Sequence, residues 1–343
     1  MSDKINNQLD PVFETMGLLF VSNNFEKVRQ DTIESLTEFG VDGEQFYLRN
    51  FKIFHKYLQE FSKYRVPGRE DALYFDDNDS NYFWILLCLI NENRDWFHSM
   101  EAITDAHINA QIIRICKDIF DENYEIETGE NIEDIVKFLD KSGLEGEAKW
   151  KLLCIMRHPK LHVQQLIDTI NANLEACQKA INAIDQPLKK MLKQYLSSVS
   201  SQSDKRFFEI KGKLTKTSCI YPSLVFPASQ LITRKGCYYG LLSELVMKEG
   251  KAQLSSKDSL LQKIKALSDS SKLEIILSLK VSPKYNLEIA QQLGLTAATM
   301  SHHMNVLLNS GFVGIEKRDG KVYYHLENET IKDLLEELED TLL

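Results

Sequence analysis

Apolar residues recur at spacings of three and four through most of the first 200 positions. The pattern is regular in Phe46–Phe61, Phe83–Phe97, Ile108–Phe120, Ile132–Leu139, Lys149–Met156, Leu161–Ile184 and Met191–Leu196. That period places one apolar face on a helix, so residues 1–200 are expected to form a helical N-terminal domain. Gly143 and the Asp76-Asp77-Asn78-Asp79 stretch mark connections. Pro159 is expected to open a helix and Pro187 to mark a junction.

The texture changes after Ser197. Serines cluster at 197, 198, 200, 201 and 203, and short β-type stretches follow at Arg206–Ile210, Thr217–Tyr221 and Leu231–Arg234, with Pro222 and Pro227 between them. These predict two or three strands and then a helix over Tyr239–Glu249. Residues 201–250 therefore read as a small mixed β/α segment packed on the helical domain, and the polar stretch 251–257 as a linker.

Residues 258–343 carry the most legible pattern. Leu260, Leu261, Ile264 and Leu267 predict a short helix, and Ser268-Asp269-Ser270 can cap a second one over Lys272–Leu279. Asn286 is read as the cap of Leu287–Leu293, and Gly294 as its end, since a left-handed terminal residue suits glycine. Thr296 is expected to cap a further helix that runs to Leu308, with Gly311 closing it.

This is helix, short glycine-containing turn, helix. On the second helix Met300, Met304, Leu307 and Leu308 share one face. Ala298, Thr299, His302 and Asn305 lie opposite, with Ser301 flanking them. Small, hydrogen-bonding side chains on the outer face suit a helix that enters a DNA major groove. His303 turns toward the core edge and reads as structural. The alternating stretches on either side of Asp319-Gly320 then predict a hairpin with Lys317, Arg318 and Lys321 at its tip, where a wing would touch phosphates or the minor groove.

Composition and charge refine this picture. The chain has 343 residues, with only 15 Gly and 7 Pro, which favours a mainly α fold with few long loops. A net charge of −9 lowers the expected non-specific affinity for DNA without excluding a local DNA-reading module. The six cysteines form no CxxC pair and are expected to be reduced thiols, as in a cytoplasmic protein. The N-terminus has no basic flank followed by an apolar run, so no signal peptide is expected. The longest apolar run, Tyr82 to Ile90, is too short to span a bilayer. No phosphate loop, nucleophile elbow or zinc-protease helix is present, so no catalytic residue and no cofactor is expected. Cys154, His158 and His162 recur every four residues, but Pro159 interrupts them and no fourth ligand is visible; no metal site is assigned. Phe83, Trp84, Trp96, Phe97, Trp150 and Met156 are expected in the core of the N-terminal domain, where a small-molecule effector pocket is an open alternative.

The stretches Lys265–Ile276, Leu287–Leu295, Thr299–Leu307 and Gly320–Leu326 together resemble the arsenic-repressor (ArsR) family of bacterial winged-helix regulators. The resemblance covers about 85 residues. It implies a homodimer on double-stranded DNA, an inverted-repeat operator and repression released by a signal. It implies base or phosphate contacts for Ser301 and His302, with Thr299 beside them. Lys272 stands where such proteins usually have arginine, keeping the charge but losing the bidentate fork.

The family's familiar metal sites are not matched. Val281–Asn286 has no thiol and Ile331–Leu343 has no histidine. The final helix places Ile331, Leu334, Leu335, Leu338 and Leu342 on one stripe, expected to form a dimer seam with the helix at 259–267, with core packing as the alternative. Its acids Glu329, Asp333, Glu336, Glu337, Glu339 and Asp340 are expected to face away from DNA. The reading reached is a dimeric repressor with an N-terminal sensing or assembly domain. A protein-interaction or scaffold protein using the winged helix without DNA contact is the alternative, and an enzyme fused to a DNA-binding domain is a third.

Overall fold

Asp10 starts the first long helix: its carboxylate accepts from the amides of Val12 and Phe13 at 3.0 and 3.2 Å, and Pro11 follows with no amide to satisfy. The computed structural model describes residues 3–76, 80–120, 129, 131–252, 256–295, 297–318 and 321–343. The expected connection at Asp77-Asn78-Asp79, the cap at Thr296 and the turn at Asp319-Gly320 lie outside the described residues.

Among the described residues eighteen α-helices form. The first seven are α1 (Pro11–Asn23), α2 (Phe25–Glu38), α3 (Gly43–Asn50), α4 (Lys52–Tyr64), α5 (Asp71–Phe75), α6 (Ser80–Glu92) and α7 (Asp105–Phe120). Then come α8 (Ile132–Lys141), α9 (Gly146–Arg157), α10 (Pro159–Ala183), α11 (Asp185–Ser200), α12 (Lys205–Leu214) and α13 (Ser243–Ala252). The C-terminal set is α14 (Ser256–Ser268), α15 (Ser270–Val281), α16 (Asn286–Leu293), α17 (Ala297–Asn309) and α18 (Asn328–Leu342). Pro159 is the first residue of α10, as its fixed φ and missing amide favour, and Pro187 lies in the first turn of α11.

Helix α1 is apolar on nearly every side, with Phe13 and Met16–Val21 buried, so it forms the axis of the N-terminal body. α10 and α6 pack along it. Glu14 is a charged residue within this apolar helix. It is fully buried, and its two carboxylate oxygens accept from the amides of Leu224 and Val225 at 2.9 and 3.0 Å, tying α1 to a loop more than 200 residues away. Burial pushes its carboxyl up to about 8, against the lowering effect of those amides.

A small sheet closes one side of the body. Its order is β1-β2-β4-β3, built from β1 (Lys4–Ile5), β2 (Cys219–Ser223), β3 (Gln230–Ile232) and β4 (Cys237–Gly240). β2 runs parallel to both β1 and β4, with Ile220 opposite Cys237, while β3 is antiparallel to β4.

Three expectations for this stretch are corrected. Arg206–Ile210 is not a strand but part of α12. The Asp204 carboxylate caps Phe207 at 3.0 Å, and Glu209 and Lys213 pair at 2.7 Å one turn apart, so local helix signals override the alternation. The helix expected over Tyr239–Glu249 begins later, at Ser243, because Tyr238–Gly240 are held in β4. The linker expected at 251–257 is partly helical, since α13 runs to Ala252 and α14 starts at Ser256.

Two apolar cores result. The larger draws on Leu9 through Val246 and is rich in buried aromatics such as Phe46, Tyr57, Phe83 and Phe138. The smaller draws on Leu260 through Leu334. All six cysteines are free thiols, four of them buried. Among the described residues no helix is long and apolar enough to cross a membrane.

Candidate nucleic-acid interface

The helix-turn-helix is built from α16 and α17. The Asp269 carboxylate caps α15 by accepting from the Lys272 amide at 2.9 Å, a hydrogen bond that lowers the Asp269 pKa. α15 then holds α16 through Ser278, whose hydroxyl donates to the Gln292 side chain at 2.8 Å. The start of α16 differs from expectation. Tyr285, not Asn286, occupies the cap, and the Glu288 carboxylate accepts from its amide at 3.1 Å; Asn286 is buried in the first turn. Gly294 ends α16 at φ +65° and Gly311 follows α17 at φ +77°, left-handed conformations that glycine adopts without steric penalty.

α17 presents two unlike faces. Met300, Met304 and Leu307 are buried at 1% exposure or less, locking the helix onto α15 and α16, and Leu308 is half-buried. Asn305, opposite them, is exposed. Helical spacing puts positions 298, 301 and 302 on the Asn305 side, whereas position 299, expected among them, falls at the flank that 301 was expected to hold. The side chains of Ala298, Thr299, Ser301 and His302 lie outside the described residues. His303 is half-buried, and its ring bears electrostatically on Asp269.

The wing is a two-stranded antiparallel hairpin, β5 (Val313–Arg318) and β6 (Lys321–Leu326), with Arg318 opposite Lys321. This register brings Lys317, Arg318 and Lys321 to the same end of the ribbon, although their side chains lie outside the described residues. Lys284 anchors the ribbon: it exchanges two backbone hydrogen bonds with Tyr324, at 3.0 and 2.8 Å, and its ammonium donates to the Ser278 carbonyl. Hydrophobic periodicity carries no signal for this contact, because one bridge residue between two helices has no period. Lys272 is half-buried, with its ammonium 3.8 Å from Asp269. Of the predicted contacts, α17 and the wing therefore gather on one module, while Lys272 sits against its own helix cap.

Helices α14 and α18 pack together, and Lys263 pairs with Glu337 at 2.9 Å across them. Glu337 thus turns to its neighbour rather than standing on the outer acidic face. Leu334 is buried and Leu338 half-buried, but Leu335 is 60% exposed and Leu261 45% exposed on the same helix pair. In the N-terminal body, His162 bonds Tyr74 at 3.0 Å through Nδ1, and no group of three or more metal-binding side chains exists among the described residues.

Comparison with protein families places the C-terminal module. Residues 269–314 fit the model of the family described as bacterial regulatory protein, arsR family. No curated protein and no solved structure matches the chain. The matched span runs from the α15 cap through α17 into β5, the segment that carries both the buried methionine face and Asn305. The C-terminal part of this 343-residue chain therefore carries an arsR-family helix-turn-helix domain behind a large N-terminal extension, and that domain supports a DNA-binding transcription regulator.

Proposed function

We propose that this protein is a dimeric repressor that reads an inverted-repeat operator with α17 and is controlled through its N-terminal body. The observation that carries the reading is the division of α17 within the matched domain: Met300, Met304 and Leu307 lie inside while Asn305 faces outward. In this account Ser301, His302, Thr299 and Asn305 reach base edges or position the helix, and Ala298 allows close approach. Thr296 presents the helix N-terminus to a phosphate. Lys317, Arg318 and Lys321 hold phosphates beside the groove, and Lys272 joins them by exchanging its contact with Asp269.

Leu261, Ile264 and Leu335, exposed on the α14–α18 pair, supply the seam for a second copy. Two copies place two recognition helices about one DNA turn apart, which doubles the phosphate contacts of a module whose chain is acidic. The N-terminal body acts as a sensing or assembly unit rather than an enzyme.

The test is selection of bound sequences from a random duplex pool, followed by titration of the winner at several salt concentrations. The account expects an inverted repeat and an affinity that falls as salt rises. A pool that never enriches, with no salt-dependent binding to any duplex, contradicts it and favours a protein-interaction role.

A further inference from the structure

Closely packed interiors leave few voids larger than a water molecule. Against that background a cavity of about 360 Å³ lies in the N-terminal body, between α6, α7, the β2–β3 loop and β3. Its size falls in the range of small-molecule sites, about 300–1,000 Å³. One wall is aromatic and fixed before any ligand arrives. Phe13 stacks on Tyr238 with ring centroids 3.7 Å apart, and Trp84 tilts against Phe226 at 4.9 Å.

The polar corner opposite is electrically closed. The Glu92 carboxylate accepts from the Arg234 amide at 3.1 Å and from the Arg114 guanidinium at 2.5 Å. Asp118 accepts two bonds from the Arg234 guanidinium, at 2.7 and 2.6 Å, and one from Arg114 at 3.1 Å. Two carboxylates thus offset two guanidiniums. Lys117 is half-buried at the rim, where a long stem lets an ammonium stay in water. A guest with its charge at the aromatic wall, away from the Lys117 ammonium at the rim, would have to break these pairs or lie uncompensated, and both are costly. Ser229 and Gln230 belong to the lining; the Gln230 amide nitrogen donates to Asp204 at 2.7 Å, which fixes that side chain, and the Ser229 hydroxyl is a group that can orient a neutral molecule.

The cavity is not confined to the body. Val322 of β6 forms part of its lining, as do Leu214 and Thr215 at the end of α12, the helix that packs beside β5. We propose that this cavity binds an uncharged, mainly apolar small molecule with one or two hydrogen-bonding groups, and that its occupancy is linked to DNA binding through the wing. The linked half rests on the regulator reading above; the binding half does not. Linkage is reciprocal, so a guest that changes DNA affinity has its own affinity changed by the same factor.

The experiment uses the full chain and two fluorescent probes, uncharged Nile red and anionic anilinonaphthalene sulfonate. Nile red should saturate at one molecule per chain with blue-shifted emission and quenching of tryptophan fluorescence. Trp84→Phe should remove most of that quenching, because Trp96 and Trp150 do not line the cavity. Thr215→Trp and Ile232→Trp fill the space from different elements, and each should weaken Nile red about tenfold or more with melting and circular dichroism unchanged. If one variant fails to fold, the other and the Trp84 signal still decide the location. Absence of saturable Nile red binding, or equal binding by both filled variants, overturns the site. A sulfonate probe that binds as tightly as Nile red overturns the uncharged class.

Nile red at saturation should also shift affinity for the selected duplex by about fivefold or more. An unchanged affinity overturns the link and leaves the site standing. A chain that binds no duplex with or without Nile red overturns the regulator reading and the link together, while the Nile red titration still decides the site.

Discussion

The N-terminal body and the C-terminal module solve the burial problem differently. The body gathers most of its apolar residues into one large core: α1 is buried on nearly all sides, stacked aromatics fill the space between helices and sheet, and the large apolar side chains left exposed, such as Leu48, Trp150 and Leu161, stand on different helices. The C-terminal module has a smaller core and leaves Leu261, Ile264 and Leu335 exposed on α14 and α18, with Leu273 and Leu277 exposed on α15. Exposed apolar stripes of this kind mark contact surfaces. The difference is that the body puts most of its apolar side chains into one core, whereas the smaller module leaves apolar side chains outside on α14, α15 and α18, where the proposed second copy would sit.

Mutations can break this comparison, and the largest effects belong to the cores. Phe83→Ala should cost about 3–5 kcal/mol and Met304→Ala about 2–5 kcal/mol, because each leaves a cavity in a filled interior. Calorimetry should show Phe83→Ala lowering the melting of the body and Met304→Ala that of the module. If both substitutions move one shared transition equally, the two cores are not separate cooperative units.

A smaller effect is expected at the seam. Leu335→Glu should move sedimentation from dimer to monomer with the fold retained; an unshifted dimer would place the interface elsewhere. Next comes pH. The Glu14 carboxyl is raised by burial to about 8 from its ordinary 4.5, so the folded state holds the proton more tightly than the unfolded chain. The resulting stability is complete below about pH 4.5 and is lost as pH rises through about 8. Glu14→Gln keeps a hydrogen-bond acceptor and should flatten the fall in melting temperature of the body across that window. An identical pH profile for both proteins would contradict this burial effect. The smallest change expected is at the wing, where Lys317→Ala should reduce the slope of log affinity against log salt by about 1. A slope that does not move would take Lys317 off the phosphates.

The helix-turn-helix was legible because each signal is local. The Asp269 cap, glycines at 294 and 311 and the methionine–leucine spacing of α17 all act within a few residues. The failures share a physical cause in ambiguous or distant contacts. Arg206–Ile210 alternates like a strand, yet the Asp204 cap and the Glu209–Lys213 pair make it helical. β1 spans two residues and pairs with Cys219 and Ile220 more than 200 positions away, beyond any periodicity. Of the cavity's aromatic wall the sequence singles out only Trp84, and as a core residue, because Phe13, Phe226 and Tyr238 join it from elements far apart in the chain. The contact of Lys284 with β6 needed the tertiary fold.

Anisotropy titration of the selected duplex and of a scrambled duplex, with the native protein and with His302→Ala, tests the assignment of α17 most directly. One lost base contact costs about 1–3 kcal/mol, so the variant should lose about fivefold or more on the selected duplex and change little on the scrambled one. Equal losses on both duplexes, or none on either, would contradict DNA reading by this helix.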